Sequence, residues 1–181
     1  MLGWPAKDTA ALLESSVASA NSAVQRARTT LRSHLPVSRL DWAPSTEPTE
    51  PERAVLRRYM DAVERADLAA VADLLADEVR STMPPYPVWF QGRDAVLAAL
   101  AKSWDPVSPA YVGQFQMIAT QANRQPAAAA YVRRYDESVY RAFAIAMLRI
   151  EKGQIMEITA FHDPDQFSAF GLSRDLAPVH R

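Results

Sequence analysis

A single histidine in an apolar stretch is the side chain of this sequence best placed to do chemistry. His162 follows Met156, Ile158 and Ala160 at every second position, so all four share one face of a predicted strand. An imidazole with a pKa near neutrality can act there as a proton acceptor or contact a ligand. A structural histidine satisfied by hydrogen bonds is the alternative interpretation.

Patterns that bind metals or phosphates are missing from the sequence. The other two histidines, His34 and His180, lie far from His162 and no predicted helix pairs them. There is no cysteine, and the five glycines form no phosphate-binding loop. Asp61 and Glu64 fall on the outward side of a predicted helix, where carboxylates are solvated. The sequence therefore predicts no metal site, no cofactor and no catalytic acid.

A second set of polar residues lies on a predicted helix near the start of the chain. Pro5 suits the first turn of a helix that ends near Leu13, and after Glu14 and Ser15 the hydroxyl of Ser16 can cap a second helix that runs to about His34. An apolar stripe on this second helix comprises Val17, Ala20, Val24, Ala27 and Leu31. The opposite side carries the candidate DNA-contacting residues Ser19, Asn21, Ser22, Gln25, Arg26, Arg28 and Arg32. This spacing is that of a helix-turn-helix motif, and a plain helical hairpin with a solvated polar face is the alternative.

The longest run of strand-forming residues predicts an antiparallel hairpin. Val139 to Ile150 and Gln154 to His162 are the two strands, joined by a three-residue loop that ends at Gly153. Met156, Ile158 and Ala160 are expected on one face, and Ile155, Thr159 and Phe161 on the other. Asp163 and Pro164 then predict the start of a helix.

Helices precede strands in the middle of the chain, which predicts an α+β fold with helices packed on a curved antiparallel sheet. The predicted helices are Glu52 to Ala66, a second that is capped by Asp67 and includes Leu74 and Leu75, and Asp94 to Trp104. The predicted strands before the hairpin are Val79 to Thr82, Val112 to Ala122 and Ala127 to Tyr135. We therefore expect a first domain over residues 1–36, a proline-rich linker over 37–51, a second domain over 52–175 and a tail over 176–181.

Composition excludes several classes of protein. The chain is 49% hydrophobic and 23% charged with a net charge of −1, which indicates an ordinary globular protein whose basic surface is local. No apolar run reaches the ~20 residues of a membrane span, and the N-terminus lacks a signal-peptide pattern, so a cytoplasmic protein is expected. Leu40 and Trp42 are apolar residues within the linker and suggest that it docks on a neighbouring domain.

The first 36 residues resemble region 4, the DNA-binding end of extracytoplasmic-function RNA polymerase sigma factors. The resemblance rests on Leu2-Gly3-Trp4, Ala10, Leu13, Ser16-Val17, Asn21-Ser22, Gln25 to Arg28 and Leu31-Arg32. It implies that the second helix lies in the major groove of the promoter. Glu14 stands where the family often has glycine. The family's region 2 and the first half of region 4 are absent, so the sequence looks like the C-terminal part of a longer protein.

The second domain resembles the SnoaL-like branch of the nuclear-transport-factor-2-like fold, a cone-shaped curved sheet packed with helices. The matching segments are Arg58-Tyr59, Ala66 to Leu68, Leu75 to Val79, Phe90 to Arg93 and Ile155 to Phe161. In related ketosteroid isomerases a carboxylate base, a tyrosine and a protonated aspartic acid do the chemistry. The corresponding positions here are Met83, Tyr59 and Ala146, so the resemblance implies a domain that is not an enzyme.

Together the two resemblances predict a fragment of a transcription initiation factor with promoter DNA and the RNA polymerase core as partners. The cone domain is expected to regulate it and to bind a small apolar ligand. The expected pocket is lined by Tyr59, Met83, Trp89, Ala146, Ile158 and His162. Two alternatives stay open: an isomerase or cyclase that uses His162 as its base, and a homodimerisation module that uses the exposed face of the sheet.

Overall fold

A computed structural model describes residues 5–34 and 47–177, apart from a few side chains near the end of the second helix. It divides the chain into two compact units, Met1–Ala43 and Pro44–Arg181. In the first unit, α1 (Ala6–Leu12) and α2 (Val17–His34) are joined by a turn in which Glu14 has a positive φ of 48°. The hydroxyl of Ser16 accepts a hydrogen bond from the N–H of Ser19 at 3.1 Å, so it caps α2 as predicted.

The second unit contains the remaining helices and strands. Its helices are α3 (Glu50–Glu64), α4 (Leu68–Ala72), α5 (Arg93–Trp104) and a 3₁₀ helix (Pro164–Phe170). Its strands are β1 (Leu75–Thr82), β2 (Trp89–Gln91), β3 (Gln114–Ala122), β4 (Gln125–Arg133), β5 (Tyr140–Glu151), β6 (Gln154–Phe161) and β7 (Asp175–Leu176). The α+β fold class is confirmed.

The helix starts follow from local chemistry. Thr49 and Glu52 form a reciprocal capping box, so α3 begins before Glu52, the residue at which the sequence placed its start. Asp67 caps α4 by accepting from the N–H of Ala70 at 2.9 Å. Asp163 caps the 3₁₀ helix. The prediction that the helix after Asp67 extends through Leu75 is wrong, because Leu75 already pairs with β6 as the first residue of β1.

One open sheet holds the second unit together, with strand order β2-β1-β6-β5-β4-β3 and β7 beside the start of β5. The β1–β6 pair is parallel and the other pairs are antiparallel. The β5–β6 turn is shorter than predicted, because Glu151 pairs with Gln154 and only Lys152 and Gly153 lie between them. Both have positive φ, 50° and 80°, which is the geometry of a two-residue type I′ hairpin.

Two register shifts change which side chains face the helices. Arg149 pairs with Glu157 and Ile150 with Ile155, so β6 has an extra residue at Met156. Ile155 therefore joins Ile158 in the same buried cluster, and its predicted position on the opposite face is wrong. A second shift, in β5, makes Phe143 the extra residue, and its ring also packs against that cluster.

The sheet buries side chains on both of its faces. The inner face packs against α3, α4 and α5, with Leu56, Leu74 and Leu148 among the buried residues. The outer face packs Tyr131 and Ile145 against Phe167 of the 3₁₀ helix. Covering both faces explains why β4 and β5 are apolar along almost their whole length.

Candidate functional site

The polar side of α2 is the first candidate surface. Ser19, Asn21, Ser22, Gln25, Arg26 and Arg28 are all exposed, whereas the side chain of Arg32 lies outside the described part of the chain. No acidic residue occurs between Val17 and His34, so the helix surface is positive. Within the unit Ala10 and Ala20 are buried, while Val17 and Val24 of the predicted apolar stripe are about half exposed.

Five of the six residues predicted to line a pocket in the cone domain occupy two places. Tyr59, Ala146 and Ile158 belong to the inner-face cluster and are each 5% exposed. Burial raises the pKa of Tyr59 to about 12, so its hydroxyl stays protonated at neutral pH. Met83 and Trp89 instead line a surface groove of about 430 Å³. The other residues of that groove are Arg80, Thr82, Pro84, Tyr86, Pro87 and Val88.

His162 lies between these two places. Its main-chain N–H donates to the carbonyl oxygen of Pro84 at 3.1 Å, which fixes the end of β6 to the loop before β2. Its ring makes edge contacts with Phe143 at 4.7 Å and Tyr86 at 5.9 Å between centroids, and Phe143 makes a similar contact with Phe115 at 5.9 Å. Four aromatic rings therefore form a continuous aromatic row, Phe115–Phe143–His162–Tyr86.

Two buried polar atoms in the second unit have no hydrogen-bond partner among the described residues. They are Nε2 of His162 and Nε1 of Trp104, a residue of α5 that packs against the inner-face cluster. Burial lowers the pKa of His162, so the imidazole is neutral at physiological pH. A ligand that presents a hydrogen-bond acceptor would satisfy the Trp104 N–H, which can only donate.

Sequence reasoning missed Trp104, Phe115, Phe143 and Tyr86 as members of the site. Phe143 reaches the inner face only because of the register shift in β5, which depends on pairing with β4. Trp104 ends a predicted helix, and the indole N–H, which needs an acceptor when buried, is the sequence signal that could have singled it out.

One carboxylate does not behave as predicted. Glu64 was expected to be solvated, but its Oε1 accepts a hydrogen bond from the main-chain N–H of Met117 at 2.8 Å, and the residue is partly buried. Asp61 is exposed as expected and pairs with Arg65 at 2.7 Å. Within residues 5–34 and 47–177 no three His, Asp or Glu side chains are arranged to hold a metal ion. In the same ranges no helix has the length and hydropathy of a membrane span.

Comparison with known proteins agrees with both resemblances. The model of the SnoaL-like domain family matches residues 56–158. The ECF RNA polymerase sigma factor SigG of Mycobacterium tuberculosis is 32% identical over 179 residues, which cover 97% of this chain and 46% of SigG. This chain therefore spans about half the length of the curated relatives it matches.

Two solved structures have the same fold. The extracytoplasmic function sigma factor SigJ of M. tuberculosis aligns with a TM-score of 0.57 at 20% identity, over 94% of this chain and 57% of SigJ. An LEH-like epoxide hydrolase of the same organism aligns with a TM-score of 0.51 at 12% identity, over 67% of this chain and 90% of the hydrolase. The chain belongs to the SnoaL-like domain family, and over nearly all of its length it is related to ECF sigma factors.

Proposed function

We propose that this chain is the C-terminal part of a transcription initiation factor, in which α2 contacts promoter DNA and the SnoaL-like domain regulates that contact. The observation that carries the proposal is the 32% identity to SigG, which extends over 97% of the chain and so includes both units. The RNA polymerase core and promoter DNA are the partners that follow from this relationship.

The surface of α2 supports the DNA-binding part of the proposal. Arg26 and Arg28 are exposed on a helix without acidic residues, where guanidinium groups can reach phosphate oxygens. Exposed amide and hydroxyl side chains, such as Asn21 and Gln25, flank them and can reach base edges. A short turn joins α1 to α2, which is the connection expected of a helix-turn-helix motif.

Few phosphates are within reach of so small a basic surface, which sets the expected strength of binding. Each neutralised phosphate contributes roughly −0.9 to the slope of log K against log salt concentration. Two to four contacts therefore predict a slope of about −2 to −4. Arg28→Ala should weaken binding to every duplex sequence and make the slope shallower by about one. Fluorescence anisotropy with a labelled duplex, titrated at several salt concentrations, measures both quantities.

A matched control separates the groove-contacting arginines from general positive charge. Arg58 is exposed on α3 of the second unit, so Arg58→Ala removes the same charge elsewhere and should leave the affinity unchanged. An equal loss of DNA affinity in Arg28→Ala and Arg58→Ala, or binding that does not depend on salt, would contradict a role for α2.

The aromatic row supports the ligand-binding part of the proposal. The rings of Phe143 and His162 favour a small apolar ligand. A ligand that also reached the unpaired Nε1 of Trp104 would need a neutral hydrogen-bond acceptor. Such a ligand shifts DNA binding only if it binds one arrangement of the protein more tightly than the other.

Turnover of the ligand is not part of the proposed function. Proton transfer at carbon needs a base beside the substrate, and the resemblance to ketosteroid isomerases puts Met83 and Ala146 at the positions of the two catalytic acids. His162 is the one neutral base in the row, and the isomerase alternative depends on it.

A further inference from the structure

Among the described residues, β2 is an edge of the sheet with no further strand beside it. β2 pairs with β1 in the register Arg80–Gln91, Ser81–Phe90 and Thr82–Trp89. The N–H of Gly92 donates to the oxygen of Val79 at 2.8 Å, and that of Met83 donates to Val88 at 3.1 Å. In an antiparallel pair the hydrogen-bonded positions alternate, so Phe90 bonds toward β1, and the N–H and C=O groups of Trp89 and Gln91 point away from the sheet.

The opposite edge is capped at one position. β3 is the last strand at that side, and the side chain of Glu64 from α3 accepts the N–H of Met117, a residue of β3. The carboxylate accepts a hydrogen bond from an unpaired N–H of the edge strand, and its charge disfavours pairing with a further strand. In the described part of the second unit, no such side chain covers the outward groups of Trp89 and Gln91.

Apolar side chains concentrate at the open edge. Tyr86 is 58% exposed, Val88 42% and Trp89 65%, and they line the groove of about 430 Å³ together with Arg80. With about 150–250 Å² per aromatic side chain, this patch exposes roughly 300 Å² of apolar surface. A patch of that size beside unpaired main-chain groups is a template for another strand.

We propose that β2 pairs antiparallel with the β2 of a second copy of this chain, across a two-fold axis at Phe90. In this register each Trp89 faces the Gln91 of the other copy, so both outward residues of both copies exchange main-chain hydrogen bonds. A register centred on Trp89 would place Gln91 opposite Pro87, which has no N–H to donate. The inference does not depend on DNA or ligand binding.

The covered outer face favours the edge as the route to a dimer. Phe167 fills the centre of that face and is fully buried, and the hydroxyl of Tyr131 donates to the carbonyl of Ser173 at 2.8 Å. A face-to-face dimer through this part of the sheet would have to displace the chain's own 3₁₀ helix. The edge needs no rearrangement, because its hydrogen-bonding groups already point outward.

The size of the apolar patch determines how tightly two copies are expected to bind. Two copies would bury roughly 600 Å² of apolar side chain plus the paired main chain, less than the 1,200–2,000 Å² of stable complexes. The dimer is therefore weak, with a dissociation constant between about 1 μM and about 1 mM.

Sedimentation velocity of the whole chain over a concentration series tests this inference. The wild type should shift toward a dimer as the concentration rises. Gln91→Pro removes the outward N–H without breaking a bond to β1. The two-fold symmetry means that each dimer loses this intermolecular hydrogen bond in both copies, so the dissociation constant should rise at least about ten-fold. Gln91→Ala keeps the N–H and loses the same side chain, so it should dimerise like the wild type.

Engineered thiols give a second test that does not rely on affinity. The chain has no cysteine, so Phe90→Cys places a single thiol on the axis, where facing Cα atoms are about 4.5 Å apart and within disulfide range. Mild oxidation should link Phe90→Cys into dimers, but not Val107→Cys, a control at an 89% exposed position. A wild type that stays monomeric at millimolar concentration, equal dimerisation of the two Gln91 variants, or equal cross-linking of both thiols would overturn the inference.

Discussion

Phe167 is expected to fasten the last part of the second unit to the outer face of the sheet. Its side chain is fully buried and makes an edge contact with Tyr131 at 5.1 Å between ring centroids. Its neighbours on β4 include Ala127 and Ala129, which are small, rigidly held and unable to fill a cavity. Truncating a buried phenylalanine costs about 3–5 kcal/mol, and we expect a value near the middle of that range for Phe167→Ala.

The remaining contacts of this segment are partly buried side chains, exposed ion pairs and a few hydrogen bonds, each weaker than the packing of Phe167. The hydroxyl of Tyr131 donates to Ser173, and the N–H of Ala142 donates to the carbonyl of Arg174 at 2.7 Å. Such hydrogen bonds contribute about 1 kcal/mol each. Phe167→Ala should therefore release the 3₁₀ helix and β7 while the rest of the sheet stays folded.

Hydrogen exchange reports this release at one amide. A loss of about 4 kcal/mol corresponds to roughly a thousand-fold faster exchange at Ala142, while Leu148 in the inner cluster should change little. Ser168→Ala is the control, because Ser168 is exposed on the same helix and surface substitutions change stability by about 0.5 kcal/mol or less. Acceleration of less than about ten-fold at Ala142, or equal acceleration at Leu148, would refute the reasoning.

Two further predictions concern His162 and the ligand. Burial lowers the pKa of His162, so below the ordinary histidine value of about 6.5 the unfolded chain takes up a proton that the folded protein does not, and stability falls as the pH falls. The urea midpoint should therefore decrease more from pH ~7.5 to ~5.5 in the wild type than in His162→Phe, and equal decreases would contradict this. A neutral β,γ-unsaturated ketone should bind more weakly to Trp104→Phe than to the wild type. Its double bond should not move, because the resemblance puts Met83, which cannot take up a proton, at the position of the base. Turnover that disappears in His162→Ala would favour the isomerase alternative.

Local chemistry predicted most of the fold. The capping residues Ser16, Asp67 and Asp163 lie at the helix starts where the sequence placed them. The helix-then-strand order gave the α+β class, because apolar periodicity distinguishes helices from strands within a short window. The type I′ turn at Lys152 and Gly153 was assigned one residue too many, since Lys152 adopts a positive φ that is uncommon for a residue other than glycine.

Features that depend on distant parts of the chain could not be predicted in the same way. The extra residues at Met156 and Phe143 reverse the alternation of side chains, and both are fixed by the register of neighbouring strands. The hydrogen bond from Met117 to Glu64 joins residues far apart in sequence, so periodicity alone marked the carboxylate as solvated. Leu40 and Trp42, from which a docked linker was inferred, lie outside the described residues.

The way the inner face is filled bears on the proposal that this domain regulates and does not catalyse. Ala128, Ala130 and Ala146 leave room on β4 and β5 for side chains of α3, so Tyr59 lies 5% exposed in the cluster and does not face an open cleft. An enzyme of this fold needs that space for substrate and needs charged groups beside it. Here the inner cluster contains apolar side chains and one protonated tyrosine, and the polar atoms without partners lie at its border, on Trp104 and His162.

A ligand that reaches these atoms would contact the aromatic row and, through the bond from His162 to Pro84, the loop that precedes β2. Binding at the row would then be linked to the open edge of the sheet, so ligand and self-association would influence each other reciprocally.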